Sequence, residues 1–455
     1  MTSGKSLNNT NINPQTEKKL RNKVIESAET YYKKKFQKQT FIPGKTLIPA
    51  SSKVMDFEEM KYLIDASLDF WLTEGRFAKE FEQNFSKFLN VKFVSLTNSG
   101  SSANLLAFAA LTSPILGDKA IKPGDEVITT ASGFPTTINP IIQNGCIPVF
   151  VDINLETLNI DTAKIEQAIS PKTKAIFLAH TLGNPFDLGT IMKIAKKYKL
   201  FVIEDSCDAL GATYKNQKVG TIGDIGTYSF YPAHHMTMGE GGAVVTNNPI
   251  LNKIIRSFRD WGRDCWCGTG HDDTCHKRFC WKFEGLPSGY DHKFVYSHLG
   301  YNLKLTDMQA AIGVAQLKKL PSFIKKRNFN YQKLYNGLTK YNEFLILPKP
   351  TPNSKPCWFG FPITVNEKSG ITKNQIIDFL EDNKILTRLA AIGNITRQPY
   401  FKHIKYRISD DLKLSDYALE NTFWIGIYPG ITKEMIKHIL NTFEKFFTKK
   451  TSIND

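Results

Sequence analysis

An α/β fold, with a mainly parallel sheet under helices in a large domain and a smaller α+β domain at the C-terminal end, is predicted by three observations. From about residue 85 to 250, short β-branched runs alternate with amphipathic helical stretches. Most of those runs end in a polar or Gly-rich turn. After Leu317 the texture changes to charged helices set around a few apolar runs. The chain then divides into a basic N-terminal arm (1–45), a large domain (46–315) that contains an irregular insertion (257–300), and the smaller domain (316–455).

Five runs carry the large sheet: Lys92 to Leu96, Glu126 to Thr130, Pro148 to Val151, Ala175 to Leu178 and Phe201 to Glu204, with Ala243 to Thr246 after them. Ligands in such sheets sit beyond the carboxyl ends of the strands, where helix N-termini present backbone N–H groups. In the smaller domain Trp358 to Val365 and Thr422 to Tyr428 read as strands. Between the two domains, Ser257 to Gly300 is dense in Cys, Trp, Gly, His and Tyr and has neither helical nor strand periodicity. An irregular segment of that length is ordered only if something other than secondary structure ties it down.

Composition narrows the function. The net charge is +16, and residues 1–50 alone hold ten Lys/Arg against three Asp/Glu, so the arm supplies nearly half of the excess. The body has no paired Cys/His fingers and no aromatic-basic sheet motif, which argues against nucleic acid and for a phosphorylated small molecule. No stretch reaches the roughly 18 apolar residues of a membrane span, and the N-terminus has no apolar signal core. A cytoplasmic protein without a membrane partner is expected.

Chemistry gathers at the predicted strand ends. After the first strand, Thr97-Asn98-Ser99-Gly100-Ser101-Ser102 feeds a helix, a turn suited either to a phosphate or to a plain Ser cap. Asp205 follows directly on an apolar strand, at the sheet's carboxyl edge. The string from Ser229 to Gly242 (SFYPAHHMTMGEGG) holds two adjacent histidines, His234 and His235, of which His235 reads as structural. Cys207, Cys265, Cys267 and Cys275 stand in the arrangement C-x57-C-x-C-x7-C. Four thiolates suit zinc or an iron–sulfur cluster, and C-x-C with a remote fourth ligand is not zinc's common form. Cys280 falls outside the pattern, and Cys146 and Cys357 read as buried packing thiols.

The Ser229–Gly242 string resembles the sugar-nucleotide branch of the fold-type I pyridoxal-phosphate enzymes, of aspartate aminotransferase-like fold, whose members carry Ser-Phe, a Schiff-base lysine and then Gly-Glu-Gly-Gly. At the lysine position stands His234, and no lysine occurs between Lys218 and Lys253. The histidine and the cysteine spacing resemble, within that branch, the pyridoxamine-phosphate and [2Fe-2S] 3-dehydrases of 3,6-dideoxyhexose biosynthesis. Similar stretches include Trp71-Leu72-Thr73, Gly133-Phe134-Pro135-Thr136-Thr137, His180 to Asn184, Asp260 to Cys265, Tyr296 to Asn302 and Thr396 to Tyr400. They run over about residues 40 to 450.

The resemblance implies a fold and an assignment of roles. Asp205 pairs with the ring nitrogen of pyridoxamine phosphate, Phe134 stacks on the ring, and Gly100, Ser101 and Ser229 hold the phosphate, with Asn302 reaching in from the second subunit of a homodimer. His234 is the base, with Tyr231 beside it, and Asp208 stands where aminotransferases of the branch have Gln. Cys207, Cys265, Cys267 and Cys275 hold a [2Fe-2S] cluster. Arg388 and Arg397 are candidates for the diphosphate of the substrate. The implied reaction is C3 dehydration of CDP-4-keto-6-deoxy-D-glucose for lipopolysaccharide O-antigen sugars, with electrons from a separate NADH-dependent iron–sulfur flavoprotein reductase. The alternatives are a cluster-free GDP-sugar 3-dehydratase and a catalytically silent binding protein with structural zinc.

Overall fold

Residues 12–37, 40–389 and 393–454 are described in a computed structural model of the chain, with side chains as far as Lys449. The first eleven residues of the predicted arm lie outside the described residues. An eight-stranded sheet forms the centre, in the order Phe93–Thr97, Gly242–Thr246, Ile225–Ser229, Phe201–Asp205, Thr173–Ala179, Glu126–Thr130, Ile147–Val151, Arg407–Ile408. All neighbours from Ile225–Ser229 onward pair in parallel, and only Gly242–Thr246 runs against its two neighbours. The strands are buried on both faces, which is why they read as continuous apolar runs and not as alternating ones.

Register sets up the site. Ala179 lies opposite Asp205, and Asp205 opposite Thr227, so the parallel strands end at one edge. Thr97, Gly242 and Ser229 share one row across the antiparallel strand, which brings the turn after Thr97 beside Ser229. Gly242 permits this approach, since a Cβ there would stand 2.3 Å from Ser99 O. Of the paired acids Glu204 and Asp205, alternation sends the two to opposite faces. Glu204 is fully buried and accepts N–H bonds from Gly220, Ile222 and Gly223 at 2.6–2.7 Å, with His180 Nε2 at 3.1 Å. Asp205 is left to face the ligand edge.

A second, antiparallel sheet has the order Leu345–Ile346, Gly360–Val365, Thr422–Gly426, Thr387–Leu389 and is packed by the helices Lys373–Asp382 and Lys433–Asn454. The long helix Asp307–Leu338 serves both cores: Ala310 to Leu320 pack under the large sheet, and Tyr331 to Leu338 pack in the small one. Its first residue also builds a neighbour. Gly75, at the N-cap of helix Arg76–Leu89, has no capping side chain, and the buried Asp307 carboxylate accepts from Gly75 N–H at 3.0 Å, Phe77 N–H at 3.1 Å and Ala78 N–H at 2.8 Å. Asp307→Ala should cost about 3 kcal/mol, because three donors lose a charged acceptor at once. Urea unfolding with an unchanged m-value checks it, and a loss below about 0.5 kcal/mol would mean that water replaces the carboxylate.

The arm contains the helix Pro14–Lys35, capped by Asn13 and ending in Lys33, Lys34 and Lys35, where cations suit the helix dipole. None of its residues is buried, and Arg21 docks it by ion pairs to Asp65 at 3.0 Å and Asp69 at 2.6 Å. No described helix is long and apolar enough to cross a membrane. The insertion is irregular as the sequence predicts, and its ties are rings and ion pairs. His292 stacks on Trp281 at 4.9 Å, Trp266 stands edge-on to both, and Arg278 pairs with Asp291 at 2.7 Å.

Candidate active site

Asp205 is 5% exposed and its carboxylate is held from three sides. Asn104 Nδ2 and Thr137 Oγ1 each donate to Oδ2 at 2.7 Å, and Cys207 N–H donates to Oδ1 at 3.1 Å. Thr227 Oγ1 in turn donates to Asn104 Oδ1 at 2.6 Å, which fixes the amide's orientation. Asn104 and Thr137 come from the helices Gly100–Ala110 and Pro135–Gln143, Thr227 from the neighbouring strand and Cys207 from the turn after Asp205. Neither Asn104 nor Thr137 stands out as a site residue by sequence pattern. The usable signal for Asn104 is a lone amide in the apolar helix around Ala103, Leu105 and Leu106, buried at 0% exposure.

Gly100 opens that helix, with Ser99 as its cap through Ser102 N–H at 3.0 Å. A Cβ on Gly100 would meet Ser229 Cβ at 2.4 Å, so the turn and the Ser229 hydroxyl form a cradle only glycine allows. Phe134 caps the helix Pro135–Gln143 and is more than half exposed at the same edge. Asn302 is exposed on the loop after Gly300, which bridges to Asp260 and whose Leu303 O accepts from Asn98 N–H at 2.8 Å.

After Ser229 the chain turns through Tyr231 to His234, closed by His234 N–H to Tyr231 O at 3.0 Å, with the Tyr231 ring half exposed and edge-on to the imidazole at 6.5 Å. His234 Nδ1 is buried without a hydrogen bond, and its nearest carboxylate oxygen is Asp208 Oδ1 at 3.4 Å. The Phe359 ring lies 5.2 Å from the imidazole. His235 is fully buried and donates Nε2–H to Cys357 O at 2.8 Å, and burial, reinforced by Arg327, pushes its imidazole well below the ordinary range. It is a neutral structural histidine.

The four cysteines are only partly assembled. Cys265, Cys267 and Cys275 line one small cavity with Arg278, His292 and Lys293. Burial opposes the Cys267 thiolate, yet hydrogen bonds from Thr274, the Cys275 N–H and the two neighbouring thiols draw it down to about 7. Cys207 does not line that cavity. It follows Asp205 at the sheet edge, where burial and the Asp205 carboxylate push its thiol well up. Among the described residues no three His, Cys, Asp or Glu side chains are set to hold a metal ion. The two arginines are engaged with protein groups. Arg397 is exposed and pairs bidentately with Asp416, at 2.9 Å through Nε and 2.5 Å through Nη2, while Arg388 donates to its neighbour's carbonyl, Thr387 O, at 2.8 Å.

A mixed, mostly parallel sheet with a buried carboxylate at its edge, a glycine-and-serine cradle beside it and a second antiparallel domain is the fold-type I architecture of pyridoxal-phosphate-dependent aminotransferase-like proteins. The chain belongs to the DegT/DnrJ/EryC1/StrS aminotransferase family, whose profile matches residues 53–444. It is 54% identical over 432 residues to the lipopolysaccharide biosynthesis protein RfbH of Salmonella typhimurium, covering 95% of this chain and 99% of that one. It is 48% identical over 431 residues to the dTDP-4-dehydro-2,6-dideoxy-D-glucose 3-dehydratase of Saccharopolyspora spinosa, covering 95% and 93%. Among solved structures, GDP-4-keto-6-deoxy-D-mannose-3-dehydratase of E. coli with bound hydrated PLP superposes with a TM-score of 0.77 at 30% identity, over 87% of this chain and 98% of that one.

Proposed function

We propose that this protein removes the C3 hydroxyl of CDP-4-keto-6-deoxy-D-glucose, with pyridoxamine phosphate bound at the carboxyl edge of the large sheet, for dideoxyhexoses of lipopolysaccharide O-antigen. The observation that carries the proposal is His234 at the place of the family's Schiff-base lysine, in a site that keeps the rest of a pyridoxal-type cradle. The residues present fit the cofactor: Asp205 is a buried carboxylate held ready by three donors, and the close approach of Gly100 to Ser229 sets a hydroxyl beside a helix N-terminus, a place suited to a phosphate. The two dehydratases support a sugar-nucleotide substrate, and RfbH supports a role in lipopolysaccharide biosynthesis.

When bound, pyridoxamine phosphate supplies an amine that can condense with a ketone and a ring that accepts electrons. Asp205 holds a proton at the ring nitrogen, because an ionised carboxylate stabilises the cationic ring. Phe134 offers an exposed ring face for stacking, and Gly100, Ser101 and Ser229 orient the phosphate. His234 moves the proton at the reacting carbon, and Asp208 Oδ1 stands 3.4 Å from its Nδ1, where it can orient the ring. Tyr231 stands edge-on to the imidazole at 6.5 Å. The lack of a lysine at this place removes the group that would otherwise bind the cofactor covalently and favour transamination.

A homodimer is part of the proposal, with Asn302 completing the phosphate site of the second copy. It is supported by apolar side chains left open around that loop, among them Leu299 at 95% exposure and the half-exposed Tyr296 and Trp261. A cytoplasmic location agrees with seven free thiols. Arg388 and Arg397 bind the diphosphate, Arg397 on condition that it leaves Asp416. A [2Fe-2S] cluster on Cys207, Cys265, Cys267 and Cys275, served by an NADH-dependent iron–sulfur flavoprotein reductase, is supported by the cysteine spacing and by the gathering of three thiols. The four do not fit a cluster as they stand, because Cys207 does not line the cavity of the other three. That separation favours a second reading, a cluster-free 3-dehydratase acting on a GDP-sugar.

The test is anaerobic purification, followed by iron and sulfide analysis and incubation with pyridoxamine phosphate and the CDP-, dTDP- and GDP-linked 4-keto-6-deoxyhexoses. Loss of one water from the CDP-sugar, with about two irons per chain that Cys265→Ser removes, is the expected result. Water loss from the GDP-sugar without iron establishes the second reading, and no turnover of any of the three overturns both.

A further inference from the structure

The long helix Asp307–Leu338 hides one cation completely. Arg327 is 0% exposed, and no carboxylate among the described residues pairs with it. Its guanidinium donates Nη1 to Phe359 O at 2.9 Å and Trp358 O at 3.3 Å, and Nη2 to His234 O at 3.3 Å. Burial draws it down to about 10, still charged near neutrality. A buried, unpaired charge is costly, and an apolar side chain of similar volume would fill the space at less cost. What distinguishes the arginine from such a filler is a planar fork that can hold several carbonyls in fixed relation.

Those carbonyls belong to the two segments that define the place of His234. One is the histidine's own backbone, and the other is Trp358–Phe359, whose Phe359 ring packs against the imidazole at 5.2 Å. The second segment is itself anchored, since Phe359 N–H donates to Leu182 O at 2.8 Å and His235 Nε2 to Cys357 O at 2.8 Å. The same helix grips the far end of the histidine loop, where Gln316 Oε1 accepts Thr237 N–H at 3.2 Å.

We propose that Arg327 is a positioning residue for His234, tying the histidine's backbone to the Trp358–Phe359 segment and thereby fixing the imidazole against the Phe359 ring. The proposal rests on His234 being the base, and it adds a buried cation from the inter-core helix to the machinery. Arg327→Met removes the fork and keeps the volume, whereas Arg327→Lys keeps the charge without the fork.

Both variants are compared with wild type for thermal unfolding, pyridoxamine phosphate affinity by absorbance, dehydration kinetics, and the Cε1–H resonance of His234 in labelled protein, assigned by its loss in His234→Asn. In folded Arg327→Met, kcat should fall about 100-fold with KM and cofactor affinity within about threefold, as for a misplaced catalytic group. The His234 resonance should shift or split, and Arg327→Lys should recover kcat to within about tenfold of wild type. Wild-type kcat with an unmoved His234 resonance in folded Arg327→Met overturns the proposal. If that variant does not fold, Arg327→Gln, which also lacks the guanidinium fork, takes its place, and wild-type kcat with an unmoved His234 resonance there overturns the proposal. The resonance is read without substrate, so it decides the role of Arg327 even if wild type fails to dehydrate any sugar nucleotide, an outcome that would strike the functional reading alone.

Discussion

His234→Asn should lower dehydration about 1,000-fold or more while pyridoxamine phosphate affinity stays within about threefold, because general base catalysis contributes on the order of 100- to 10,000-fold. Asparagine keeps a polar side chain of comparable size but cannot take a proton. The backbone of the loop is held by bonds that do not involve the imidazole: His234 N–H to Tyr231 O, Arg327 to His234 O, and Thr237 N–H to Gln316. The lesion is therefore confined to proton movement. Single-turnover water loss, together with an absorbance titration of the cofactor, separates chemistry from binding. Turnover within tenfold of wild type would exclude His234 as the base and direct attention to Tyr231, half exposed at 6.5 Å from it.

Asp205→Asn should be nearly as severe, by a different route. The carboxylate accepts from Asn104, Thr137 and Cys207 N–H, and an amide presents donor hydrogens to a shell made of donors. Whichever way the amide turns, a buried donor loses its acceptor, Cys207 N–H if the oxygen takes the Oδ2 place or Asn104 Nδ2 and Thr137 Oγ1 if it takes the Oδ1 place, and the ring nitrogen loses its anionic partner. Turnover should fall on the order of 100- to 1,000-fold, the scale of losing one electrostatic stabiliser. Unlike His234→Asn, this variant should also weaken pyridoxamine phosphate binding. A variant with wild-type cofactor affinity and turnover would place the ring elsewhere.

Asp205 is legible in the sequence because it ends a strand whose apolar run is visible, and a polar residue at that position of a parallel sheet lies at the ligand edge. His234 is legible only through the motif that follows Ser229. Strand Ile225–Ser229 itself is missed as a strand, because Gly226 and Thr227 dilute its apolar character and its last residue reads as part of a motif. Asn104 and Thr137 lie on helices, and their convergence on one carboxylate is a tertiary fact that no local pattern encodes. Arg327 is masked by its neighbours. In Lys325-Lys326-Arg327 it looks like part of a solvated basic face, and only the helix's position between two cores turns it inward. The cysteines show the opposite failure. Spacing treats the four alike, while the sheet holds Cys207 beside Asp205 and the insertion gathers the other three. The two-residue strand Arg407–Ile408, which returns the late chain to the edge of the large sheet, is too short to carry any periodicity.

The helix Asp307–Leu338 behaves as a lever with its fulcrum at the base. One end is pinned through Asp307 to the helix Arg76–Leu89, the middle grips the histidine loop through Gln316 and Arg327, and the other end is embedded in the smaller core. The same helix therefore serves three places at once, and the seat of the imidazole is built from contacts that reach into both cores.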